Sequence, residues 1–246
     1  MAAASALLAG YASAELEGEV HVGYSSIYEF RFVDFGSDLV EAGADISYDT
    51  GFVGLSAGAW YGSVDDSFYS FNELDLYAAV SKELGPVNLE LGYIYYGFDA
   101  PGTTDTQEVY LSATYNLPWD IALGATYYYD FDAANGWYLQ PELSKSFKFN
   151  DCLALNLSAG VGIADGLGGQ PRAANTPALV GVGRTADGFQ GYYVKAELPW
   201  EFRENVTIAP YVKYTDADSK LAADIGSRLR GGQDHLIGGV KLTVGF

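Results

Sequence analysis

Apolar and polar residues alternate along nearly the whole chain. In the closing stretch HLIGGVKLTVGF, Leu236, Gly238, Val240, Leu242, Val244 and Phe246 occupy every second place, with Ile237, Gly239, Lys241, Thr243 and Gly245 between them. A period of two belongs to a strand whose faces meet different surroundings. The same rhythm predicts strands over 19–32, 40–48, 53–61, 73–81, 87–98, 108–115, 121–131, 137–145, 153–163, 192–200, 206–214 and 235–246, twelve in all. In the first, Val20, Val22, Tyr24, Tyr28, Phe30 and Phe32 fall on the apolar side. Pro141 and Pro210 sit inside predicted strands, where a missing N–H predicts a bulge or local irregularity.

The connections after the even-numbered strands are short and rich in Gly, Pro, Asn or Asp, such as Asp49-Thr50-Gly51 and Leu84-Gly85-Pro86. Several of the others are longer, above all 165–188 and 216–233. Short turns at one end and longer loops at the other predict an all-β, antiparallel up-and-down transmembrane barrel of about twelve strands spanning 15–246, with both termini in the periplasm. Aromatic residues gather near the loop ends (Tyr28, Phe30, Tyr61, Tyr95, Tyr129, Phe131, Trp137, Tyr214) and the turn ends (Tyr48, Tyr115, Trp119, Phe149, Trp200, Phe246), with Leu, Val and Ala between. Two belts around an aliphatic band match the two membrane–water interfaces. A soluble β-sandwich also alternates, but it gives no reason for paired belts. In a barrel, Phe246 closes the last strand against the first, so no backbone edge faces lipid. A terminal Phe on such a strand also resembles the signal presented to the barrel assembly machinery.

Composition agrees with this placement. Aromatics make up 15% and charged residues 18%, with 30 glycines and 20 tyrosines. Such a mixture has the middling hydropathy of a barrel rather than the long apolar runs of membrane helices. The net charge of −19 and the lack of basic patches exclude a nucleic-acid binder. A single cysteine, Cys152, rules out an internal disulfide and reads as a filler beside a turn. Residues 1–14, MAAASALLAGYASA, read as the remnant of a secretory signal, with Ala12-Ser13-Ala14 as the cleavage site. No basic segment precedes it, which places the expected true start upstream.

Three segments carry a family resemblance: YEFRFVDFGSDLVEAGADISYDTGFVGLSAGAW, ELDLYAAVSKELGPVNLELGYIYYGF and EVYLSATYN. They resemble the bacterial outer-membrane proteins grouped as Gcw_chp, over roughly the first half of the chain. That resemblance implies an outer-membrane barrel and no particular activity.

The inward face carries the candidate chemistry. Reversing the alternation turns Glu41, Asp45, Glu73, Asp75, Glu90, Glu108, Asp130 and Glu142 into the lumen as an acidic wall. Arg31, Lys195, Lys213 and Lys241 come from the first and last strands, neighbours in a closed barrel, and form a basic wall opposite. Excess carboxylate in a wet lumen favours cations by raising their local concentration. The expected function is therefore a porin-like channel for small polar or cationic solutes, in contact with outer-membrane lipid and lipopolysaccharide. The alternative is a plugged structural or adhesive barrel, in which the same charges pair across a filled lumen.

No catalytic set stands out. Only His21 and His235 are present, and the topology places them at opposite ends of the barrel. Glu73 and Asp75 could act as paired carboxylates, but their spacing is simply the period of one strand face. GLGGQ (166–170) lacks the strand-to-helix setting of a phosphate cradle. TDADSK (215–220) lacks the Gly and closing Glu of a calcium loop. The expectation is no enzyme, no metal and no cofactor. The segment KLAADIGSRLR (220–230) could form a short helix in the last loop.

Overall fold

A computed structural model describes residues 16–65, 70–99, 104–167, 187–219 and 234–246. The leader 1–14, most of the 165–188 connection, the greater part of GLGGQ and the segment 220–230 lie outside the described residues. The chain forms β1 (Leu16–Phe30), β2 (Val33–Asp49), β3 (Gly54–Asp65), β4 (Ser70–Leu84), β5 (Val87–Asp99), β6 (Thr106–Leu117) and β7 (Ile121–Asp130). It continues through β8 (Trp137–Asn150), β9 (Leu153–Asp165), β10 (Gly188–Glu197), β11 (Trp200–Arg203), β12 (Val206–Ala217) and β13 (Asp234–Gly245).

Strands adjacent in sequence pair antiparallel, except that β10 and β11 each pair with β9 and β12 rather than with one another, and β1 pairs with both β2 and β13, so the sheet closes on itself. β10 and β11 are two halves of one barrel strand, and the closed barrel therefore has twelve. The break between them has a local cause. Leu198 donates to the Pro210 carbonyl at 2.9 Å, but Pro210 has no N–H to return, and Pro199 has none either. The irregularity expected at Pro210 thus falls on its partner strand, while the pairing of Pro210 itself with Val240 stays in register. At Pro141 the ladder to β9 lapses between Leu139 and Glu142 without a register shift.

Closure involves the final residue. Phe246 and Gly18 exchange backbone hydrogen bonds of 2.8 and 2.9 Å. The Phe246 ring lies over Gly18, where a side chain would meet it at 2.5 Å. An aromatic ring covering a strand glycine pins this register.

The outer surface is apolar along the middle of every strand. Val22, Leu91, Leu111, Leu143 and Leu236 are all exposed, and the aromatic belts at Tyr61, Phe131, Tyr48, Tyr115, Trp119 and Trp200 are exposed as well. So much contiguous apolar surface is foreign to a protein surrounded by water. Among the described residues no helix is long and apolar enough to cross a membrane; the strands do so instead.

One expectation fails. Tyr28, Phe30 and Phe32 do not face outward with Val20, Val22 and Tyr24; all three are buried inside the barrel. Pairing of β1 with β13 ends at Ser25–Gly239, and between Ser25 and Tyr28 the inward set switches from odd to even positions. The β1–β2 ladder shifts register between Tyr28 and Glu29, while Gly36 and Asp38 take positive φ of 139° and 58°. A bulge and two left-handed residues bend a hairpin away from the wall. Its tip is a two-residue turn at Arg31 and Phe32, with φ of 52° and 68°, as a type I′ turn requires.

Candidate functional site in the barrel lumen

The bent hairpin reaches across the loop-end half of the lumen. Tyr28, Phe30, Phe32, Val33, Phe35 and Leu39 pack there against Trp60 and Val64 of β3, Tyr96 of β5, Tyr138 of β8 and Tyr193 of β10. The result is an aromatic core inside the barrel, in which Tyr28, Phe30 and Phe32, which alternation alone would assign to lipid, meet inward-facing rings of the wall. Phe32 seats where two strands present glycines. A Cβ at Gly162 would lie 2.5 Å from its ring, and one at Gly191 would lie 2.9 Å away. A backbone without side chains gives the ring its socket.

Arg31 anchors the tip. Its two terminal nitrogens donate to both oxygens of Glu108 on β6 at 2.8 and 2.7 Å. Neither side chain is accessible to solvent. The guanidinium also lies 4.7 Å from the Phe30 ring centre, 4.7 Å from that of Tyr138 and 5.1 Å from that of Tyr128. A bidentate pair enclosed by aromatic faces satisfies a charge that burial would otherwise penalise by several kcal/mol. Arg31 therefore does not stand with the lysines on a basic wall. Its position on an inward-folded turn, rather than on a strand, carries it to the acidic side.

The remaining expected residues are distributed as follows. Glu73 and Asp75 are buried beneath the hairpin. Tyr28 donates to Glu73 at 2.5 Å. Asp130 is fully buried, accepts from Thr106 at 2.6 Å and from the amides of Asp132, Ala134 and Asn135, and so orders the β7–β8 connection. Glu41, Asp45, Glu90 and Glu142 line the rest of the lumen, half-buried. Lys195 and Lys213 face each other across β10 and β12. Lys195 pairs with Glu197, and Lys213 pairs with Glu29 at 2.7 Å. Lys241 is half-buried on β13.

The alternation singled out the carboxylates but not what holds them. Trp60 Nε1 donates to Glu41 at 2.9 Å, Tyr77 to Asp45 at 2.5 Å, Tyr110 to Glu90 at 2.7 Å and Tyr96 to Glu108 at 3.0 Å. Tyr193 donates to Glu142. Each donor sits at an inward position, one residue from an outward apolar one, so the parity that placed the carboxylates could have found them. At the rim, outside the strands, Asp105 accepts from the Tyr95 hydroxyl at 2.5 Å and the Phe98 amide at 3.0 Å. Those two bonds hold its carboxyl below the usual aspartate range.

A closed twelve-stranded barrel, apolar outside and charged within, is a transmembrane β-barrel of the outer-membrane kind. No protein-family model matches this sequence, and no curated protein sequence matches it; the Gcw_chp resemblance rests on the three quoted segments alone. Solved structures do share the fold. The COG4313 outer-membrane channel from Pseudomonas putida F1 superposes with a TM-score of 0.57 at 11% identity, over 96% of this chain and 97% of that one. The KdgM porin, solved in complex with disordered oligogalacturonate, gives 0.54 at 12% identity over 94% and 99%. The NanC porin gives 0.52 at 13% identity over 93% and 98%. At such identities the likeness is one of fold.

Proposed function

We propose that this protein is an outer-membrane, porin-like channel for small polar solutes, with an acidic lumen that favours cations and a loop-end half closed by its own hairpin. One observation carries the reading. Glu41, Asp45, Glu90 and Glu142 receive hydrogen bonds from tyrosine and tryptophan, which are neutral donors. Such bonds satisfy a carboxylate without cancelling its charge. The described lysines that form lumen ion pairs are matched by Glu197 and Glu29 rather than by this set. Uncancelled negative charge on a low-dielectric wall concentrates cations. The fold shared with outer-membrane porins and channels supports the channel part of this reading.

A second reading is a plugged scaffold that displays its outer loops, favoured by the fully enclosed Arg31–Glu108 pair. Planar-bilayer recording of the folded protein separates the two. The channel reading expects cation-selective steps from the native chain and larger ones when residues 26–37 are replaced by a two-residue turn. A silent native chain beside a conducting shortened one supports the scaffold. Silence from both overturns the channel reading. Anion preference that persists after Lys195 and Lys213 are neutralised overturns the cation preference.

A further inference from the structure

At the end of the lumen that carries the chain termini, far from the hairpin, three side chains converge. Glu19 and Asp45 are direct partners in the β1–β2 ladder, and His21 lies one inward position further along β1. A donor atom from each lies within 4.8 Å of the others. Two carboxylates placed directly opposite on neighbouring strands repel each other. His21 stands beside them without a hydrogen bond to either. Its Nδ1 stands 3.7 Å from Asp45 Oδ2, beyond hydrogen-bonding distance, and makes no hydrogen bond among the described residues although the side chain is more than nine-tenths buried.

The ring is held in this attitude. It packs on Gly43, where a Cβ would lie 2.4 Å from Cε1 and 2.6 Å from Nε2. Asp45 is held too, because Tyr77 occupies its Oδ1 and leaves Oδ2 towards the imidazole. Lys241, opposite Gly23 on β13, is the basic residue nearest in register and forms no ion pair among the described residues. A preset nitrogen, one oriented carboxylate and a second directly opposite it, with no lysine or arginine paired to either among the described residues, make an incomplete electrostatic unit.

We infer that Glu19, His21 and Asp45 bind one divalent cation of the zinc class, with His21 Nδ1 as the nitrogen ligand and water completing the coordination. Bonds of about 2.1 Å in a tetrahedral arrangement separate ligand atoms by about 3.4 Å, so the observed spacing closes with small side-chain rotations. An imidazole ligand selects borderline metals over magnesium and calcium, which prefer all-oxygen sites. Tyr77 is the outer partner that orients the carboxylate. The inference stands on this geometry and does not depend on conduction.

Calorimetric titration of the chelator-stripped, folded barrel in detergent with Zn²⁺ tests it, with Co²⁺ absorption as a second readout. One equivalent should bind per chain, unaffected by excess Mg²⁺, and Co²⁺ should develop the visible bands of a low-coordinate nitrogen–oxygen site. His21→Ala should weaken binding at least about tenfold. Tyr77→Phe should weaken it by about tenfold, as loss of an outer partner does. His235→Ala, whose imidazole lies at the other end of the barrel, should leave it unchanged. Heat-modifiable electrophoretic mobility confirms that each variant is folded. Equal Zn²⁺ affinity in native and His21→Ala barrels, or no stoichiometric binding to the native one, overturns the inference.

Discussion

Removing the Arg31 guanidinium tests what holds the hairpin in the lumen. In Arg31→Ala, Glu108 keeps its inaccessible position and loses both charge-assisted bonds, retaining only the 3.0 Å contact from Tyr96. Breaking a buried pair from one side costs about 3–5 kcal/mol, because a charge is stranded. The barrel wall has an independent ladder, so the hairpin is the part free to respond, by leaving the lumen and letting water reach Glu108. At about 1.4 kcal/mol per factor of ten, that is a shift of roughly two to three and a half orders of magnitude towards the undocked hairpin. Val33, buried at the tip, reports it when replaced by cysteine in a Cys152→Ser background, since Cys152 is exposed and would label. If local opening limits modification, the maleimide rate follows the open population and should rise by the same factor. Arg31→Leu combined with Glu108→Leu should return most of the way to the native rate, since no charge is then left unpaired. A labelling rate in Arg31→Ala within about threefold of the native one would refute the anchor.

Gly162→Ala should act in the same assay, because its Cβ would sit 2.5 Å from Phe32 and 2.4 Å from the Tyr138 hydroxyl. Overpacking of that kind costs about 1–3 kcal/mol, so labelling should rise by about one to two orders of magnitude. Gly238→Ala, which meets nothing within 4 Å, should leave it unchanged. The lipid-facing assignment is tested by Leu111→Lys, which should cost about 2–4 kcal/mol in urea titrations of the barrel in lipid vesicles. Ser112→Lys, one residue on and facing the lumen, should cost less than about 1 kcal/mol; equal costs would remove the distinction between the two faces.

The twelve strands, their tight turns and the outward or inward parity of most positions were legible in the chain itself, because alternation is a local property. A side chain at position i and one at i+2 share a face whatever the rest of the molecule does. Parity also singled out Glu41, Asp45, Glu90 and Glu142, which are half-buried and take hydrogen bonds from Trp60, Tyr77, Tyr110 and Tyr193. It stopped at the 27–39 hairpin, where Tyr28, Phe30 and Phe32 kept the outward rhythm. The crowding of Phe30, Phe32, Val33 and Phe35 on both sides of a turn, with no period of two across it, was the available sign that this segment needed cover.

What only the tertiary structure decided was which apolar environment those rings enter. Hydrophobic burial is non-directional and does not distinguish lipid outside the wall from an aromatic core within it. The choice came from partners remote in sequence: Glu108 for the guanidinium, Gly162 and Gly191 for the Phe32 ring, and Glu73 for Tyr28. The convergence of Glu19, His21 and Asp45 has the same origin. The register between β1 and β2 sets it, and no spacing along a single strand records that register.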